Sequence, residues 1–281
     1  METEITNYTK VSPDFEKRVL FLEEKVKELF SIIETLNKNK TSSMKVYTYY
    51  EDINFKHQNR LLNLWKNSWE KHGFEAIVLT RVNAENHPFY IEFVDRLKSI
   101  HQHISEKPLG DYGLSCWLRW LAYATQPEEK FYVCDYDVIN HNFNPTEPSN
   151  FLHLLDGDCP CIASGTPSQF YDLCNKFVNV PEKNIDAFSH FYKEFKYVHY
   201  HDQEFFRIYT AIGKSEIKAT RKRETFFGIP GEGEFWKKQL VHYGHNLCHR
   251  MCEQKGIKFD EEVRCNIVEE HLNICQEEFL Q

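Results

Sequence analysis

The chain has 281 residues, 41% of them hydrophobic, with 34 Lys+Arg set against 42 Asp+Glu for a net charge of −8. That is ample for a real core, while the acidic balance speaks against sequence-independent binding to nucleic acid or anionic lipid, which both recruit positive side chains. No apolar run reaches the ~18 residues of a membrane span, and the polar, acidic start lacks the apolar stretch of a secretory signal, so a cytoplasmic protein is expected, its nine Cys reduced.

Phe15, Val19, Leu22, Val26, Leu29, Ile33 and Leu36 follow one another in steps of four and three. This heptad seam predicts a helix over residues 13–38 that pairs with a second copy, and residues 1–43 read as that coiled-coil helix plus a polar linker. The globular domain is placed at 44–281. Met44 to Tyr50 reads as a strand, His57 to His72 as a helix carrying Leu61, Leu64, Trp65 and Trp69, and Phe74 to Leu79 as a second strand. Strand, helix and strand with short joins predict a parallel βαβ unit. A helix opens at Pro88, a loop covers 108–113, and Leu114 to Thr125 forms an apolar helix with one conspicuous charge, Arg119. Phe131 to Cys134 is a buried-type strand. Short strands are expected at 151–155 and 161–164, then helices from Pro167 (capped by Thr166) and over 185–197. A mobile loop follows at 228–233, with two final helices over 235–254 and 260–280. Alternating strands and helices make the domain α/β.

The strand at Phe131 ends in Asp135-Tyr136-Asp137. Two carboxylates one residue apart can share a divalent cation, and in open α/β sheets ligands bind beyond the carboxyl ends of strands. A rival pair, Asp156-Gly157-Asp158, lies in a Gly/Pro/Cys-rich stretch that reads as a turn. His245, Cys248, His249 and Cys252 share one helix, which can present two or three ligands at most to a tetrahedral ion, so they read as packing Cys beside surface His. There is no phosphate-binding Gly-rich loop and no nucleophile elbow.

Arg119-Trp-Leu-Ala-Tyr123 followed by Tyr132-Val-Cys-Asp-Tyr-Asp-Val138 resembles the centre of the small nucleotide-sugar glycosyltransferases of the GT-A fold, relatives of initiating mannosyltransferases and of sugar-transferring toxins. Trp65 through Leu79, Asp202-Gln203 and Val241-His242 resemble further parts of that family. The chain departs from it in lacking a Gly-Gly turn before the metal strand, in carrying Cys116 where an acid is usual, and in having no Trp soon after His242. The resemblance implies a GT-A-like, Rossmann-like mixed sheet flanked by helices, and a metal-dependent hexosyltransferase using a UDP- or GDP-sugar and a glycan, protein or lipid acceptor. It implies Asp137 as direct ligand to Mn²⁺ or Mg²⁺, Asp135 on ribose or metal-bound water, and His242 completing the set. Arg119 would reach donor sugar or phosphate, Arg221 would close over the phosphates, and Asp202 would orient sugar or take a proton. Tyr49 or Trp65 would stack on the base. An inactive relative serving in assembly and a nucleotidyltransferase are the alternatives; the latter needs an upstream Gly-Ser turn that is not found.

The seam makes a direct prediction. Light scattering should give a larger mass per particle for the whole chain, in multiples of the monomer, than for a chain starting at Met44. Equal multiples would leave the helix as a local cover.

Overall fold

The structure is a computed structural model that describes residues 18, 21, 22, 24–27 and 29, and residues 43–278 apart from 53–55, 106, 145, 146, 149–151, 155–159, 198, 214–217, 220–226 and 232. The chain divides into two units, Met1–Ser43 and Met44–Gln281. In the first, the described residues from 18 to 29 are helical, and the seam residues Leu22, Val26 and Leu29 are exposed. The other four seam positions lie outside the described residues. Among the described residues no helix is long and apolar enough to cross a membrane.

The second unit is mixed α/β. Strand β1 (Lys45–Tyr49) is followed by α1 (Gln58–Lys71) and β2 (Glu75–Leu79), and β1 and β2 pair in parallel, as the βαβ reading requires. Helices α2 (Arg81–Glu85), α3 (Tyr90–Ile104) and α4 (Asp111–Ala124) then lead to β3 (Phe131–Cys134), parallel to β1 on its other side. Next come β4 (Val138–Asn140), β5 (His153–Leu154), β6 (Ile162–Gly165), α5 (Pro167–Lys183), α6 (Ile185–Glu194) and α7 (Asp202–Ala211). The chain finishes with β7 (Lys218–Ala219), β8 (Phe227–Gly228), β9 (Leu240–His242), α8 (His245–Gln254) and α9 (Glu261–Glu278). The main sheet has the order β2-β1-β3-β6-β5-β7, and a smaller sheet has the order β4-β9-β8.

Both faces of the main sheet are covered, which accounts for the unbroken apolar run of β3. Along β3, Phe131 and Val133 point into one core cluster with α3 to α7, while Tyr132 and Cys134 point into another with α1, α8, α9 and the small sheet. Trp65 and Trp69 of α1 are wholly buried in the second cluster, where the Trp69 indole donates to the Val138 carbonyl at 3.0 Å.

Three expectations are corrected. The stretch 235–254 is not one helix: after a 3₁₀ turn at Phe235–Lys237 it forms β9, and helix resumes at His245. Leu240 and Val241 are fully buried and pair antiparallel with Asn140 and Ile139, so tertiary burial overrides the helical pattern. The loop expected from Gly228 begins as β8, with Phe227 and Ile229 buried. A Cβ on Gly228 would stand 2.3 Å from the Phe235 carbonyl oxygen, so this contact excludes any side chain. Helix α4 starts at Asp111, three residues before the expected Leu114.

Helix α9 is fastened to the small sheet by a buried polar cluster. The Tyr243 hydroxyl lies 3.0 Å from His271 Nδ1 and 3.3 Å from His141 Nε2, and His141 Nδ1 lies 3.2 Å from the Cys275 sulfur. Burial lowers both imidazoles from the ordinary 6.5 to about 4, so they are neutral at pH 7. Because the folded values lie below the unfolded ones, the stability is present above pH ~6.5 and is lost as pH falls toward ~4. The unfolding midpoint should drop across that window by the equivalent of a few kcal/mol, and His271→Phe should flatten part of the drop. A midpoint constant from pH 7 to 4.5 would contradict this.

Candidate active site

The order β2-β1-β3 reverses direction at β1, and the two crossovers lie on opposite faces of the sheet. Such a reversal opens a crevice at the carboxyl ends of β1 and β3. Asp135, Tyr136 and Asp137 sit there, in a tight turn closed by a hydrogen bond from Val138 N to the Asp135 carbonyl at 3.0 Å. Asp135 N also donates to the Cys161 carbonyl at 2.8 Å, and Tyr243 N to the Asp137 carbonyl at 2.8 Å. The turn is thus held by the main sheet on one side and the small sheet on the other. Antiparallel register places His242 of β9 opposite Val138, next to Asp137. A Cβ on Gly244 would meet the His242 ring at 3.1 Å, so glycine there lets the imidazole fold back over its own chain.

Asp135, Asp137 and His242 each present a ligand atom, and these atoms all lie within 4.8 Å of one another. Two carboxylates and an imidazole suit a divalent cation such as Mn²⁺ or, with water, Mg²⁺. Asp137 Oδ1 fits this use: it is buried and has no hydrogen bond, and its contact with His242 Nε2 is long at 3.4 Å. A buried oxygen in that state costs free energy unless something else satisfies it.

Two arginines flank the pair, Arg264 buried and Arg119 largely enclosed. Arg119 of α4 is bonded to Asp135 through Nη1, and it also reaches Asp202 Oδ2 with Nε at 3.0 Å and Nη2 at 2.5 Å. Arg264 of α9 is bonded to the other oxygen of Asp137, Oδ2, through Nη2. Burial lifts the Asp135 carboxyl to about 6 against the pull of Arg119, and the like charge of Asp137 adds to the lift. Burial also works against Asp137, but His242 and Arg264 outweigh it and hold that carboxyl well below the usual range.

Asp202, a candidate base from sequence, is 2% exposed and has both oxygens engaged. Trp120 Nε1 donates to Oδ2 at 2.7 Å, and His201 Nδ1 lies 3.3 Å from Oδ1. Despite burial, Arg119 and His201 bring its carboxyl down to about 2. Its position is that of an anchor for Arg119, and a carboxylate so neutralised is a poor proton acceptor. His201 carries no local sequence signal and emerges only from the fold. Burial disfavours its charge, but Asp202 and Glu204 raise it to about 9, so it is an imidazolium at neutral pH.

The expected base-stacking residues are also relocated. Trp65 is fully buried, with its indole on the Cys134 sulfur at 3.1 Å, and Tyr49 is buried with its hydroxyl on Glu51. The half-buried aromatics of the crevice are Tyr50 and Tyr136, edge to face at 5.8 Å. Arg221, Asp156 and Asp158 lie outside the described residues. Cys248 and Cys252 are buried, whereas His245 is exposed and His249 half-buried, both against Phe259, so the four do not converge. Arg264 is a further site residue that the sequence reading passes over, although its signal is present. Arg264, Val268 and His271 share one helix face, and a cation among buried positions needs a partner.

No protein-family model and no curated protein matches the chain. Solved structures that match include the glycosyltransferase GlyE of Streptococcus pneumoniae TIGR4. Its apo form is 10% identical, with 64% of this chain and 45% of that chain covered and a TM-score of 0.36. A second GlyE structure is also 10% identical, with 65% and 46% covered and a TM-score of 0.35. The present chain spans under half of that enzyme's length, and a likeness of this degree assigns neither family nor activity.

The Asp202 anchor is testable. Asp202→Asn keeps the shape and removes the charge, so the His201 imidazole should titrate well below about 9 in an NMR titration. The protein should lose ~3 kcal/mol at pH 7, as expected when a buried ion pair loses one partner. In the intact chain His201 adds stability that is full below about 6.5 and gone above about 9. An unchanged His201 titration would mean that Asp202 does not hold the imidazolium.

Proposed function

We propose that the chain is a metal-dependent glycosyltransferase of GT-A type, moving a sugar from a nucleoside diphosphate donor to an acceptor hydroxyl. The observation that carries this reading is the convergence of the Asp135–Asp137 pair with His242, which is remote from it along the chain, at the switch point of the sheet. The resemblance of the Arg119 to Val138 block to such enzymes supplies the reaction class. Bound at these donors, Mn²⁺ or Mg²⁺ would act as a Lewis acid on the diphosphate leaving group.

The protein's own groups then have defined tasks. Asp137 offers Oδ1 to the cation, with its other oxygen held by Arg264. Asp135 lies at the mouth of the crevice, where it can meet a ribose hydroxyl or a metal-bound water. Arg119 is fixed by Asp202, and its guanidinium stands beside Asp135, where the donor phosphate or sugar would lie. Tyr50 and Tyr136 offer ring faces to a base. His201 stands behind Asp202, which in turn holds Arg119. The heptad seam read from the sequence over 13–38 would assemble copies of the chain, a reading supported by its described members Leu22, Val26 and Leu29, which are exposed.

Calorimetry with UDP and GDP, with and without Mn²⁺, tests the donor site. Asp137→Asn should weaken metal-dependent nucleotide binding by roughly a hundredfold, equivalent to about 3 kcal/mol, and should lower turnover at least as much. Asp135→Asn should cost less, and Asp158→Asn should leave binding as it was. Loss in Asp158→Asn with normal binding in Asp137→Asn would move the site to the other acidic pair.

A further inference from the structure

Arg264 differs from an ordinary salt-bridge partner in how completely it is fixed. The residue is 4% exposed. Its Nε donates to the Tyr243 carbonyl at 2.7 Å, Nη1 to Glu261 at 3.1 Å, and Nη2 to Asp137 Oδ2. The guanidinium cannot shed its proton and cannot turn away without leaving buried acceptors unmatched. A positive charge is therefore built into one side of the Asp137 carboxylate, while Oδ1, which has no hydrogen bond and stands 3.4 Å from His242 Nε2, forms the other side. Asp135 is matched in the same way by Arg119. Each carboxylate of the pair thus meets its own arginine before any ligand arrives.

A divalent cation placed on Oδ1 would stand only one carboxyl group away from the Arg264 charge, in a buried setting where such repulsion is weakly screened. A bare cation meets that repulsion, which Glu261 on another edge of the guanidinium offsets only in part. A cation that arrives with a diphosphate does not, because the anion supplies the missing negative charge. We propose that Arg264 is a built-in counter-cation that keeps this site from retaining a free divalent ion and reserves it for a cation carried with a diphosphate. The inference rests on reading Asp135, Asp137 and His242 as a cation site. Arg264 is on this view a positioning and specificity residue that touches neither donor nor acceptor.

The test measures Mn²⁺ binding to the full chain by electron paramagnetic resonance of the free ion, alone and with saturating UDP or GDP. The intact protein should bind Mn²⁺ weakly alone and at least tenfold more tightly with one nucleotide. Equal affinity with and without the nucleotide that binds overturns the inference without any variant. Arg264→Gln should tighten bare Mn²⁺ binding by roughly tenfold or more, because a unit charge is removed beside a divalent one. Arg264→Lys, which keeps the charge and loses the fork, should bind bare Mn²⁺ as weakly as the intact chain. Unchanged or weaker bare binding in a folded Arg264→Gln protein, checked by circular dichroism, overturns the inference and makes Arg264 a support for Asp137 geometry alone. If neither UDP nor GDP binds the intact chain but Arg264→Gln still gains Mn²⁺ affinity, the charge balance stands and the donor reading falls.

Discussion

The guanidinium of Arg119 is the interaction on which the site is built. It is largely enclosed between Asp135 at the end of β3 and Asp202 at the start of α7, and so ties a turn, a helix start and its own helix α4 together. Desolvating an arginine is costly, and two carboxylates are needed to offset it. Asp202 in turn is shared with Trp120 and His201. The result is a chain of alternating charge, Glu204–His201–Asp202–Arg119–Asp135, meeting a second one, Asp137–Arg264–Glu261, at the Asp-Tyr-Asp turn. Removing any inner member leaves a buried charge uncompensated, so the fold and the pocket share the same electrostatics.

That arrangement has a topological cause. The reversal of strand order at β1 opens the crevice, and the turn after β3 passes the chain from the main sheet into the small one. Covalent continuity from β3 to β4 gives the two carboxylates, and pairing of β4 with β9 brings the imidazole. The small sheet therefore has two tasks: it helps to cover one face of the main sheet, and without it Asp137 would have neither His242 nor the Tyr243 backbone that orients Arg264.

Much of this is legible in the sequence where local signals and burial agree. The βαβ unit from Lys45 to Leu79 follows from apolar strands around a helix with Trp65 and Trp69 on one face. The Thr166–Pro167 start of α5 follows from capping chemistry, and Thr166 does accept from Gln169 N. The Asp135 turn stands out because an apolar strand leads into it. What stays hidden depends on distant partners. Val241 and His242 look helical beside the His/Cys-rich α8, and only Val138 to Asn140 make them a strand. Tyr49 and Tyr50 differ in no local respect, and which of them faces the crevice is decided by helices packed on either side of β1. The buried roles of Asp202 and Arg264 depend on charges 83 and 127 residues away along the chain.

The β4–β9 pairing also bears on how the protein reaches this state. Asp135 and Arg119 lie 16 residues apart and can meet early, whereas Asp137 and Arg264 meet across 127. Closing so long a loop loses more chain entropy than closing a short one, and contacts of high sequence separation slow folding. The pairing of β1 with β2 and β3 involves no strand of the C-terminal segment, although one face of that sheet is later covered by it. The two carboxylates and the imidazole therefore come together only when the segment from β9 onward packs against the sheet. A nascent chain still missing that segment carries the Asp-Tyr-Asp sequence without the imidazole or the Arg264 cation, so the cluster is complete only once β9 and α9 have been made.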